Sequence, residues 1–92
     1  MTDTETDTPA EPVAPTAQAV LVHVVSALVQ DQEAIRVDVD TSRSTPRLNV
    51  RVDRSDMGRV IGKRGRVAQA IRSVVRAAAV RDGTDVDVEF ED

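Results

Sequence analysis

Three short stretches of this chain alternate apolar and polar residues with a period of two, and each has only one apolar face. AIRVDVD (34–40) sets Val37 and Val39 against Arg36, Asp38 and Asp40, and RLNVRV (47–52) sets Leu48, Val50 and Val52 against Arg47, Asn49 and Arg51. DVDVEFE (85–91) sets Val86, Val88 and Phe90 against Asp85, Asp87, Glu89 and Glu91. Such alternation marks half-buried strands. One-sided strands need a layer of helices over their apolar face and leave the other face to water, which makes a two-layer α+β sandwich. Only TSRSTP (41–46) separates the first two stretches, so they are expected to pair antiparallel, with Arg43 in a solvated turn. The second strand, whose Arg47 and Arg51 complement acids on both others, is expected at the centre. The third follows a helical crossover, which allows it to run parallel to the second and makes the sheet mixed.

The helices are read from a different period. After Pro15, with Thr16 as the expected N-cap, Ala17, Val20, Leu21, Val24, Val25 and Leu28 share one face, and His23 falls opposite. Ser55 is the expected cap of a short helix carrying Met57, Val60 and Ile61, broken at Gly62. Beyond Gly65, the residues Val67, Ile71, Val74, Val75 and Ala78 form an apolar stripe, with Arg66, Gln69, Arg72, Ser73 and Arg76 on the other side and Gly83 as the stop. The element order is α-β-β-α-α-β. Residues 1–15, built of Met, Thr, Asp, Glu, Pro, Ala and one Val, are expected to be a disordered acidic tail, leaving residues 16–92 as a single domain. Whether that tail is a solvating linker or an internal competitor for basic surface is open at this stage.

Composition excludes several classes of function. Without cysteine there is no disulfide framework and no thiolate metal site, which fits a reducing compartment, the cytoplasm. The most apolar stretch, residues 19–29, is interrupted by His23 and Ser26 and falls short of the roughly 20 residues of a membrane span; neither signal peptide nor anchor is expected. No cofactor or metal is expected, because the single His lies on a face read as wet and the acids of the third strand alternate outward. GRVIGK fails as a phosphate-binding loop of the NTPase kind: three residues rather than four separate its glycines, and Arg64 follows Lys63 where Ser or Thr belongs. An enzyme is not expected.

The net charge of -4 conceals a segregation. Acids crowd the first eleven and last eleven residues, whereas between 54 and 81 the cations Arg54, Arg59, Lys63, Arg64, Arg66, Arg72, Arg76 and Arg81 are opposed only by Asp56. In the middle of this segment lies VIGKRGRVAQAIR (60–72). Two helices meeting at GKRG leave backbone N–H groups unsatisfied at the start of the second, where the helix dipole favours an anion. Gly62 and Gly65 allow a tight turn and close approach of a sugar-phosphate backbone; Lys63 and Arg64 add charge at the point of contact, and Arg66, Arg72 and Arg76 extend it. With one Phe and no Tyr or Trp, RNA recognition here must do without aromatic stacking platforms.

IGKRG matches the I-G-x-x-G signature of KH domains, and the element order resembles the type II, bacterial arrangement of that fold. DMGRVIGKRGRVAQAIRSVVRAAA (56–79) is similar to the same segment of the small stand-alone bacterial KH proteins of the KhpA family, and the resemblance runs over residues 17–91. It implies a cytoplasmic protein that binds single-stranded RNA, forms homodimers and pairs with a larger KH-domain protein of the KhpB, Jag or EloR type. It further implies an RNA chaperone or post-transcriptional regulator, linked in some bacteria to cell shape. Gly62, Lys63, Arg64 and Gly65 would then hold phosphates, while Val60, Ile61, Val67, Ala68 and Ile71 would line or support an apolar groove with the second strand on its far side. Core packing is the alternative for these apolar residues, and a solvated helix face for Arg72 and Arg76. The competing function is a protein-interaction module that uses the same helix-turn-helix region to dimerise and has little affinity for RNA.

Overall fold

The computed structural model describes residues 13–91. Along the chain run α1 (Pro15–Leu28), β1 (Arg36–Asp40), β2 (Arg47–Arg51), α2 (Met57–Ile61), α3 (Arg66–Ala79) and β3 (Asp87–Glu91), with single tight helical turns at Gln32–Ala34, Arg54–Asp56, Lys63–Gly65 and Val80–Asp82. Apart from Val13 and Ala14, which pack against the core, and Pro15, the first residue of α1, the acidic tail lies outside the described residues.

The sheet has the order β1-β2-β3, with β1 antiparallel and β3 parallel to β2. On its wet face, residues of opposite charge stand across from one another. Arg47 lies opposite Asp40 on one side and Asp87 on the other, and Arg51 reaches Glu91 at 3.1 Å. Arg51 also faces Arg36, a like pair that would repel. That repulsion is relieved because the Arg36 guanidinium turns back to donate to the carbonyls of Glu33 and Ile35, at 2.7 and 2.9 Å.

The opposite face carries the core. Leu48, Val50 and Val52 next to Val86 and Val88 are buried under Leu21 and Val25 of α1, Val60 of α2 and Ile71 and Val75 of α3. β1 contributes less. At this edge Val37 is half-buried and Val39 is 36% exposed. On α3 the buried face is Ala68, Ile71, Val75 and Ala79, whereas Val74, expected inside, stands 49% exposed. The stripe is therefore rotated toward Ala68 and Ala79, whose small side chains let α3 lie close to its neighbours. Gly83, at φ 73°, ends the turn after α3 as expected.

Two expected caps are replaced by others. Thr16 lies inside the first turn of α1, after Ala14 and Pro15, so it cannot serve as the cap. The open amides of Thr16 and Ala17 instead donate to the two carboxylate oxygens of Asp82, both at 3.0 Å, from the far end of the chain. Burial pushes the Asp82 carboxyl up, but these hydrogen bonds outweigh it and hold the group below the usual aspartate value. Likewise Ser55 does not cap α2; its amide and hydroxyl donate to Asp53, which caps the turn Arg54–Asp56 leading into that helix.

A third carboxylate ties the C-terminal end of α1 to the start of α2. Asp56, only 1% exposed, accepts from the amides of Gln30 and Asp31 at 3.1 Å each, and Arg59 lies 3.3 Å away. A buried carboxylate is tolerable only with such partners. Asp56 therefore positions α2, which leads directly into the GKRG corner.

Candidate nucleic-acid interface

Helix α2 ends at Ile61 because Gly62 leaves helical space, at φ 76° and ψ 173°, in a region almost confined to glycine. Space forbids a side chain as well: a Cβ here would run into Val67 Cγ2 and lie 2.9 Å from the Val67 amide nitrogen. Gly62 is thus the point where the backbones of α2 and α3 nearly touch. Arg64, at φ 58°, and Gly65, at φ 72°, are both left-handed. Gly65 has open space around its missing Cβ, so only its conformation calls for glycine. Arg64 adopts the same region with a side chain, a strain of roughly 1–2 kcal/mol.

This turn determines the electrostatics of the corner. The residue before α3 must be left-handed, which places Gly65 at the N-cap and excludes the usual Ser, Thr or Asp. No side chain caps α3 and no acid lies in its first turn. Lys63, Arg64 and Arg66 are exposed, and among the described residues none of them is in an ion pair. Asp56, the one acid of the basic segment, is buried with its own donors. A helix start without a side-chain cap, ringed by unpaired cations, favours negative charge.

The other expected site residues separate into two groups. Ile61 and Val67 are half-buried beside the corner, whereas Val60, Ala68 and Ile71 are core residues at 0%, 2% and 3% exposure. The apolar residues of β2 are also buried, so they belong to the core. Arg72 and Arg76 have partners in β3. Arg72 Nε donates to the Val88 carbonyl at 3.0 Å, its Nη1 to Gln69 at 3.0 Å, and its guanidinium carbon stands 5.7 Å from the centre of the Phe90 ring. Arg76 reaches Asp87 at 3.5 Å, an exposed pair worth little. Arg43 is exposed in the β1–β2 loop.

Asp56 and Asp82 were not singled out from the sequence. Asp56 had one signal, as the lone acid in a basic segment; Asp82 had none, because its partners are 65 and 66 positions away. Among the described residues, no three His, Cys, Asp or Glu side chains are grouped to hold a metal, and no helix is long and apolar enough to cross a membrane.

Comparison with known proteins identifies the family. The RNA-binding protein KhpA of Leifsonia xyli is 44% identical over 75 residues, covering 78% of this chain and 92% of the relative. The protein of the same name from Bacillus subtilis is 42% identical over 72 residues, 78% of this chain and 89% of the relative. That from Clostridium perfringens is 41% identical over 67 residues, 73% and 89% of the two chains. A crystal structure of Aquifex aeolicus Era bound to GDP and aluminium fluoride matches with a TM-score of 0.58 at 20% identity, over 87% of this chain and 31% of that longer one, a likeness of fold alone. The family model described as KhpA/KhpB, KH domain matches residues 18–90, from within α1 to within β3. With the whole helix-turn-helix, β1, β2 and most of β3 inside that match, this chain belongs to the KhpA/KhpB family of KH domains.

Proposed function

We propose that this chain binds single-stranded RNA, with Gly62, Lys63, Arg64 and Gly65 gripping the sugar-phosphate backbone and Ile61 and Arg66 beside them. The observation that carries the reading is the uncapped start of α3, set among unpaired cations at a turn where glycine removes the side chain. Relatives named as RNA-binding proteins support it. In this reading Arg72 and Arg76 add charge along α3 while they hold β3, and so rank below the corner. Arg43 plays no part.

The interface is small and has no stacking aromatic beyond Phe90, which is half-buried against the core. The isolated domain therefore binds weakly and with little sequence preference, and avidity supplies the rest. Two sources of avidity fit the family: a homodimer, and a heteromer with a larger KhpB-type protein. Its role is that of an RNA chaperone or post-transcriptional regulator in the cytoplasm, without a catalytic step.

The test is to titrate a short unstructured RNA into the parent chain and into a Lys63→Asp, Arg64→Asp double variant, with circular dichroism confirming that both fold. Loss of binding by the folded variant is the expected result. Equal binding by the two would remove the corner from the site. Dimerisation with no RNA binding by the parent would favour a protein-interaction module.

A further inference from the structure

The net charge of -4 lies entirely in the first twelve residues. Asp3, Glu5, Asp7 and Glu11 are there with no Lys or Arg, whereas residues 13–92 hold twelve acids and twelve bases. Within that balanced domain the basic corner has no acid facing it. Lys63, Arg64 and Arg66 are exposed, and among the described residues none of them is in an ion pair.

Where the acidic segment joins the domain sets what it can touch. Helix α1 starts beside the far end of α3, because the amides of Thr16 and Ala17 meet Asp82 in the turn that follows Ala79. The corner stands at the other end of α3, 14 residues or about 21 Å along the helix. An extended chain covers about 3.4 Å per residue, so counted back from Val13 it can carry Asp7 about 20 Å, Glu5 about 27 Å and Asp3 about 34 Å. Three of the four acids can therefore reach the corner, and Glu11, close to Val13 in the chain, cannot. Their spacing suits the site as well. In TDTETDT (2–8) an acid stands at every second position, and in an extended segment such residues point the same way at intervals of about 7 Å. That is a row of negative charges at close to the interval of successive phosphates in a nucleic-acid strand.

We infer that residues 2–8 dock on the GKRG corner when no RNA is there and compete with RNA for it, as a phosphate mimic carried by the same chain. The inference deepens the RNA reading of the corner and rests on it. Tethering holds the segment near its target at an effective concentration in the millimolar range, so a weak contact is enough to fill the corner. RNA that neutralises more charges, or is held by several domains at once, displaces it, and short, weakly held strands do not.

The experiment compares the full chain with a full-length variant in which Asp3→Asn, Glu5→Gln and Asp7→Asn remove the three charges and leave the folded residues untouched. A short unstructured oligoribonucleotide is titrated into both at low and at high salt, and amide NMR spectra are recorded without RNA. The neutral variant should bind RNA about fivefold more tightly at low salt, with the gain falling below about twofold at high salt, and the amides of Lys63, Arg64 and Gly65 should shift between the two proteins. Adding a peptide of residues 1–12 to the variant should move those amides back toward their positions in the parent. Equal RNA affinity of the two proteins at low salt would overturn the inference and leave the RNA reading standing. A gain in affinity with the corner amides unmoved would also overturn it, because general repulsion between the acidic segment and RNA would then explain the gain. So would amide differences that grow with protein concentration, since the segment would then be docking on a second copy. If neither protein binds RNA, the functional reading fails and the competition fails with it.

Discussion

Helices α1 and α3 are each 14 residues long, neither is capped by the side chain of its own N-cap residue, and the chain treats the two starts in opposite ways. The start of α1 is closed by Asp82, whose two oxygens take the amides of Thr16 and Ala17. The start of α3 has no side-chain cap; the turn before it takes the amides of Gly65 and Arg66 on the carbonyls of Gly62 and Lys63, and cations surround it. A helix start attracts an anion in either case. At α1 the anion is built into the protein; at α3 the turn through Gly62, Arg64 and Gly65 has no capping side chain, and in the proposed reading RNA phosphate takes that position. Asp56 extends the contrast, since it holds the segment after α1 with a buried carboxylate while the neighbouring corner has none.

The strongest way to break this contrast is to close the open corner sterically. Gly62→Ala would place a methyl against Val67 and force an L residue into a glycine region, so chemical denaturation should report a loss of about 3 kcal/mol or more. A loss under about 1 kcal/mol would mean that Val67 gives way and that the turn is less tightly built than described. Next in size is Asp56→Ala, which leaves the amides of Gln30 and Asp31 without their acceptor and should cost about 2–3 kcal/mol.

Arg72→Ala sharpens the division among the cations. Its guanidinium serves β3 and Phe90, so the loss should appear mainly in stability, about 1 kcal/mol, with RNA affinity changed less than by any substitution at Lys63 or Arg64. The mildest test concerns acid. Because the folded carboxyl of Asp82 lies below its ordinary value, its contribution is fully present above the ordinary aspartate value and is lost as pH falls from there through the lower folded value. Thermal midpoints of the parent and of Asp82→Asn should therefore differ at neutral pH and converge below about pH 4. A gap that widens in acid would contradict the capping role.

Local periodicity made much of this fold legible. The alternation in RLNVRV and DVDVEFE identified both inner faces, and the charges at Arg47 and Arg51 identified β2 as the central strand. GKRG between two helical patterns located the corner. What escaped was non-local. A cap at residue 82 for a helix starting at residue 15 leaves no trace in a window of ten residues, so Thr16 looked like the only candidate. Ser55 and Asp53 are both good capping residues, and only the hydrogen bonds decide between them. Arg72 and Arg76 share a polar helix face with Arg66, but where that face meets β3 depends on how the helix is rotated over the sheet, which also left Val74 outside. Helical spacing places side chains on one helix; tertiary packing decides which of them remain free for a ligand.

The central claim is that Lys63 and Arg64 are kept unpaired for phosphate, and the salt dependence of RNA affinity tests it most directly. For a single strand, the slope of log affinity against log salt concentration is about -0.7 for each phosphate neutralised. Replacing Lys63 and Arg64 by Gln in a protein of unchanged stability should therefore flatten the slope by about 1.4, at about 0.7 for each lost contact. An unchanged slope in the folded double variant would contradict the account, because the cations of the open helix start would then not be touching RNA.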